Sequence, residues 1–161
     1  MMINRFKDEY RWLSNFADVI VTFEGIKYKS IEHAYQAAKS TDADWRTFCA
    51  SDISAGKVKK SSRKIEVRSD WEEIKVEVMK DLLIQKFSNG RYKNLLLNTG
   101  SVTIQEGNYW GDVFWGIDLQ TGEGKNMLGK LIMEIRKNLE ERESLPELFW
   151  RKLKRYFYKK G

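Results

Sequence analysis

The sequence predicts an α+β fold, and three observations carry that prediction. The chain has 161 residues, 42% hydrophobic and 13% aromatic, which suits one domain with a real core. Several long stretches repeat their apolar residues at helical spacing, whereas the stretches with strand character are short. Strands and helices do not alternate regularly, which argues against a doubly wound α/β sheet.

The elements follow in order. Residues 12–17 (WLSNFA) read as a loop framed by Trp12 and Phe16. VIVTF (19–23) and IKY (26–28) flank Glu24-Gly25, the pattern of a β-hairpin with an X-Gly turn. Ser30 is a good N-cap for a helix in SIEHAYQAAKS (30–40), where Ile31, Ala34, Tyr35 and Ala38 form a core-facing stripe. DADWRTFCAS (42–51) is a weaker helix, and SAGKVKKSSRK (54–64) is a basic loop or short helix. Asp70 and Glu73 form a capping-box arrangement ahead of the strongest helix, which carries Trp71, Ile74, Val78 and Leu82 and stops at Asn89-Gly90. RYKNLLLNTG (91–100) is a further short helix ended by Gly100. SVTIQE (101–106) reads as a strand, with another near Phe114–Leu119, and a last long helix starts near Asn126.

Composition excludes several classes. A single cysteine, Cys49, allows no internal disulfide or cysteine zinc cluster, and a single histidine, His33, argues against a histidine-rich metal site. Cys49 lacks the neighbours of a nucleophile and reads as a small buried residue. No apolar run reaches membrane length, and the N-terminus has no signal-peptide pattern. These features lead us to expect a cytoplasmic protein with no metal and no cofactor. The net charge of +6 suggests an anionic partner. About five of those charges lie in the tail from Pro146, PELFWRKLKRYFYKKG.

Three local constellations are candidates for chemistry. On the helix of residues 30–40, Glu32, Gln36 and Lys39 line one flank, while His33 lies about 100° away from that row. Taken alone, the spacing favours Glu32 as a complement to the helix dipole and Lys39 as a solvated charge, and still more a structural or exposed position for His33. EGNYWGDVFWG (106–116) interleaves Tyr109, Trp110, Phe114 and Trp115 with glycines and Asp112. It fits a base-stacking platform and a hairpin turn with core aromatics equally well. GEGKN (122–126) opens a helix, where backbone amides favour phosphate, but it lacks a Walker signature and Asn126 also serves as a plain N-cap.

Together these pieces resemble the NADAR (YbiA-like) family. The matching residues are EYRWLSNF (9–16), FEGIKYKSIEHAYQAAK (23–39), Trp71, Met79, KF (86–87), LLLNTG (95–100), EGNYWGD and FWG within 106–116, and GKNMLGKLIMEIR (124–136). The resemblance covers about residues 4–142. It implies a mainly helical single domain with short β-hairpins, residues 1–143, that hydrolyses N-glycosidic bonds. Family substrates include ribosylamino-pyrimidine phosphates of riboflavin synthesis and ADP-ribose attached to guanine bases. Carried onto this sequence, the resemblance implies Glu32, Lys39 and Asp112 as catalytic residues. Asn15, Gln36, Trp71, Trp110, Gly111 and Asn126 become substrate-binding residues. Relatives tend to carry a Gly-Arg pair after the AK segment. This chain has Lys60-Ser61-Ser62-Arg63 there, which leaves the phosphate contact open between Lys60 and Arg63.

Breaking a ribose C1′–N bond builds positive charge on the sugar and negative charge on the leaving base. A carboxylate near the sugar and a proton donor near the base answer both needs. The expected reaction is removal of ADP-ribose from guanine in nucleic acid. The alternatives are hydrolysis of a riboflavin-pathway ribosylamine, or a silent ADP-ribose or NAD-binding module. Residues 144–161 read as a basic amphipathic helix, with Phe149, Leu153, Tyr156 and Phe157 on one side, suited to nucleic acid phosphates, to a membrane surface, or to docking on the domain.

Overall fold

Eight-residue α1 (Ile31–Ala38) lies at the centre of the fold, and all eight of its residues are buried. Ser30 caps it, its Oγ accepting the His33 N–H. Helices α2 (Ala43–Ala50), α3 (Ala55–Ser61) and α4 (Trp71–Ser88) all pack on α1. Short α5 (Gly90–Leu97) and long α6 (Met127–Ser144) close the far side of α4. The structure, a computed structural model, describes residues 1–144. The basic tail expected as a helix from residue 144 lies, past Ser144, outside the described residues.

The fold is α+β and mainly helical, with three two-stranded ladders among the described residues. Strands β2 (Val21–Phe23) and β3 (Ile26–Tyr28) form the expected hairpin. Its turn places Glu24 at φ 45° and Gly25 at φ 80°, the left-handed pair that matches strand twist. The other two ladders are parallel, not hairpins. The expected strand 101–106 shrinks to β4 (Thr103–Ile104), paired with β1 (Met2–Ile3). The expected strand near 114–119 is β6 (Ile117–Asp118), paired with β5 (Gly107–Asn108).

Two local expectations change. Asp70 does not cap α4 through its side chain: its carboxylate takes a bidentate pair from Arg68 at 2.6 and 2.9 Å. A charge-assisted fork outcompetes a single amide donor. Helix α1 also buries its polar flank as well as its apolar stripe. A 3-10 turn (Asp8–Leu13) and the loop after it cover that flank: Asn15 C=O accepts the Glu32 N–H at 2.9 Å. His33 is structural, with Nδ1 2.7 Å from Ser30 Oγ and Nε2 2.9 Å from the Ile53 carbonyl. Cys49 is fully buried, and burial pushes its thiol up to about 12, which keeps it unreactive.

Candidate active site

A cleft of about 690 Å³ opens beside α1. Its floor is the α1 flank. Gln36 Nε2 donates to Glu32 Oε1 at 2.8 Å, which fixes the carboxylate. Lys39 ends the same row, its Nζ 5.5 Å from the centre of the Tyr35 ring. Burial holds the Lys39 ammonium below its ordinary range, with Glu32 opposing and Lys59 reinforcing that shift.

One wall comes from the Ser14–Phe16 loop. Buried Lys86 on α4 anchors it, donating to the Ser14 carbonyl at 2.8 Å. Asn15 Nδ2 contacts Met79 Sδ at 3.6 Å. Asn15 Oδ1 and Gln36 Oε1 are buried acceptors with no hydrogen-bond partner among the described residues. Both residues line the cleft.

The opposite wall is residues 106–115. Asn108 organises it: its Oδ1 accepts the N–H groups of Trp110 and Asp112, and its Nδ2 donates to the Asp112 and Ile117 carbonyls. Asp112 Oδ1 accepts from the Phe114 and Trp115 amides at 3.1 and 2.9 Å, leaving Oδ2 for another partner. Trp115 Nε1 donates to Tyr35 Oη at 3.1 Å, tying this wall to α1. Tyr109 and Trp110 are exposed at the rim. Lys59 Nζ sits 5.6 Å from the Phe16 ring centre and 5.8 Å from that of Trp110, and the Arg5 guanidinium lies 5.7 Å from that of Tyr109.

The cleft therefore gathers Asn15, Glu32, Gln36, Lys39, Trp110 and Asp112 from the sequence-derived set. It does not gather three others. Trp71 is buried in the core, packed edge-on against Tyr35 at 5.0 Å, and braces α1 from behind. Gly111 is a bend between two lining residues, at φ 78°. Asn126 is a backbone strut: Oδ1 accepts the Glu106 N–H at 3.0 Å and Nδ2 donates to the Ile104 carbonyl at 2.9 Å. Of the two candidates for phosphate contact, Arg63 lines the cleft and Lys60 does not. Sequence reasoning gave no role to Arg5, Lys7, Lys59 or Glu106, all of which line it. The one signal for Glu106 was its place at the head of the EGNYWGD segment.

A buried carboxylate held by an amide, further carboxylates opposite and an aromatic rim make this cleft the candidate active site. Residues 3–140 match the family model for the NADAR domain, and the chain belongs to that family of N-glycosidases, hydrolases acting on N-glycosyl compounds. The chain is 34% identical to N-glycosidase YbiA of Escherichia coli over 136 residues, covering 82% of this chain and 83% of that protein. It is equally similar, at 34% over 137 residues, to Riboflavin biosynthesis protein VVA0006 of Vibrio vulnificus, of whose length it spans only 37%. The NMR structure of E. coli YbiA superposes with a TM-score of 0.78 at 30% identity, covering 91% of this chain and 89% of that one. Among the described residues, no helix is long and apolar enough to cross a membrane.

Proposed function

We propose that this N-glycosidase removes ADP-ribose from guanine bases in nucleic acid. The observation that carries the ribose part is the pair of buried, unpartnered acceptors, Asn15 Oδ1 and Gln36 Oε1, flanking Glu32. Orphaned buried acceptors are costly until a donor arrives, and vicinal sugar hydroxyls supply two donors. Glu32 then stands at the ribose, stabilising the cationic centre or activating water. Lys39, whose charged form burial disfavours, is suited to attack the opened sugar at C1′ or to move a proton. Asp112 Oδ2 orients a hydroxyl, and Trp110 stacks on the base.

The cleft volume, about 690 Å³, lies inside the range of roughly 300–1,000 Å³ typical of small-molecule pockets. Its cations, Arg5, Lys7, Lys59 and Arg63, suit a diphosphate. A second reading, hydrolysis of a phosphorylated ribosylamino-pyrimidine, is favoured by the names of relatives such as Riboflavin biosynthesis protein VVA0006.

Mass spectrometry of two parallel reactions tests the choice, each with wild type and Glu32→Gln. Release of ADP-ribose from guanine-modified DNA by wild type alone supports the first reading. Cleavage of the ribosylaminouracil phosphate alone supports the second. Ligand binding without cleavage of either returns the chain to a binding module. If the basic tail holds nucleic acid, deleting residues 146–161 weakens DNA binding and flattens its salt dependence while sparing a small substrate.

A further inference from the structure

Three carboxylates converge on the cleft, and only two of them are held by donors. Glu32 accepts from Gln36, and Asp112 accepts from two backbone amides. Glu106 lines the same cleft, yet its carboxyl group has no hydrogen-bond or ion-pair partner among the described residues. Its backbone, by contrast, is bolted on both sides. The Glu106 N–H donates to Asn126 Oδ1 at 3.0 Å, and its carbonyl accepts the Ile117 N–H at 2.9 Å. Gly116 packs beside the carboxyl: a Cβ there would stand 2.7 Å from Glu106 Oε2. The side chain is thus placed firmly and left unpaired.

Donors stabilise the charged form of a carboxylate, and burial near like charge favours the neutral acid. Both conditions select Glu106 as the carboxyl that carries a proton. The charged groups sharing the cleft are Glu32 on α1 and Lys39 at its C-cap, Lys59 on α3, Arg63 in the 3-10 turn (Ser62–Lys64) after it, Asp112, and Arg5 and Lys7 near the N-terminus. Burial pushes the Glu106 carboxyl up to about 7, with Asp112 and Glu32 raising it and Lys59 opposing.

We propose that Glu106 is the general acid of the reaction, delivering a proton to the nitrogen that leaves ribose C1′. The assignment rests on the glycosidase reading above. The C1′–N bond breaks with its electron pair on nitrogen, and the Glu106 carboxyl proton passes to that nitrogen. A water oxygen bonds to C1′ and gives its proton to Glu32. Glu106 then regains a proton from solvent and Glu32 returns one, so the sum is substrate plus water to free sugar plus base. The division matches the general pattern in which two carboxyl groups with different surroundings take opposite proton-transfer roles.

Glu106→Gln keeps the shape and removes the transferable proton. The test follows its turnover on guanine-ADP-ribosylated DNA, the ribosylaminouracil phosphate and 4-nitrophenyl ribofuranoside, whose leaving group departs without a proton. On whichever nitrogen-linked substrate wild type cleaves, kcat falls roughly 10²–10⁴-fold, the usual contribution of a general acid. Turnover of the nitrophenyl riboside stays close to wild type. Wild-type kcat/KM falls as pH rises through about 7, and Glu106→Gln loses that limb while Glu106→Asp keeps it. Equal losses on all substrates, or a limb that survives in Glu106→Gln, overturn the assignment but leave the glycosidase standing. If the nitrophenyl riboside is inert to wild type, the pH limb alone decides. Wild type that cleaves no nitrogen-linked riboside overturns the glycosidase reading and this assignment with it.

Discussion

Gln36 and Glu32 sit one turn apart on a helix with no exposed face, joined by a 2.8 Å hydrogen bond from amide to carboxylate. The amide has a double duty, because its other end, Oε1, is an unpartnered acceptor. Gln36 therefore links the placement of the carboxylate to the presence of a donor in the cleft. Hydrogen bonds to charged groups are worth about 1.5–3 kcal/mol, so Gln36→Leu lowers kcat/KM roughly 10- to 100-fold. Steady-state kinetics check this, and unchanged kcat/KM would remove Gln36 from the site.

Asn15 faces the same cleft with its own unpartnered Oδ1. Asn15→Leu raises KM on a ribose substrate. A deoxyribose analogue lacking the hydroxyl that meets Asn15 binds wild type more weakly than the parent, but binds Asn15→Leu no worse than the parent does. A double-mutant-style cycle of affinities measures that coupling.

Lys86 gives a pH signature. Burial drops its ammonium to about 7, below the ordinary lysine value of about 10.4. Between those values the unfolded chain binds a proton that the folded chain does not, so this residue makes stability rise with pH across that window. Relative to Lys86→Met, wild type gains about 1.4 kcal/mol between pH 7.5 and 8.5. Denaturant titrations of both proteins at the two pH values read the difference directly. Cys49 and the tyrosines are shared by both and cancel.

Asn126 combines two side-chain bonds with a left-handed backbone, φ 50°. Asn126→Ala loses both bonds and places a Cβ-bearing residue without local support in that conformation. At about 1–3 kcal/mol for each of the two buried groups left unpaired, the loss is about 2–6 kcal/mol by denaturant unfolding. Asn126→Gly relieves only the backbone part, recovering about 1 kcal/mol of it. Because the freed N–H belongs to Glu106, both variants also lose activity.

Much of this fold was legible because its larger elements have a period. The stripe Ile31, Ala34, Tyr35, Ala38 and the turn at Glu24-Gly25 each carry a local signal, and the structure contains both elements. Two-residue strands have no period, so while Thr103–Ile104 and Ile117–Asp118 fell inside longer expected strands, their parallel partners Met2–Ile3 and Gly107–Asn108 left no trace. The Asp70 cap failed because two partners compete for one carboxylate, and only the structure shows that Arg68 wins. In the site, the α1 row was readable as one helix edge. Arg5, Lys59 and Glu106 were not, since nothing in chain spacing links them to that edge. Trp71 misled for the opposite reason: a large aromatic beside a site has the same sequence appearance whether it faces the cleft or the core.

The cleft takes lining from Arg5 near one end of the domain and from Leu128, at the start of its last helix. During synthesis, the N-terminal side chains wait while more than a hundred residues emerge before their counterparts leave the ribosome. No nascent fragment ending before α6 holds a closed cleft. Closure of the cleft is therefore a late event, because its lining joins parts of the chain more than a hundred residues apart.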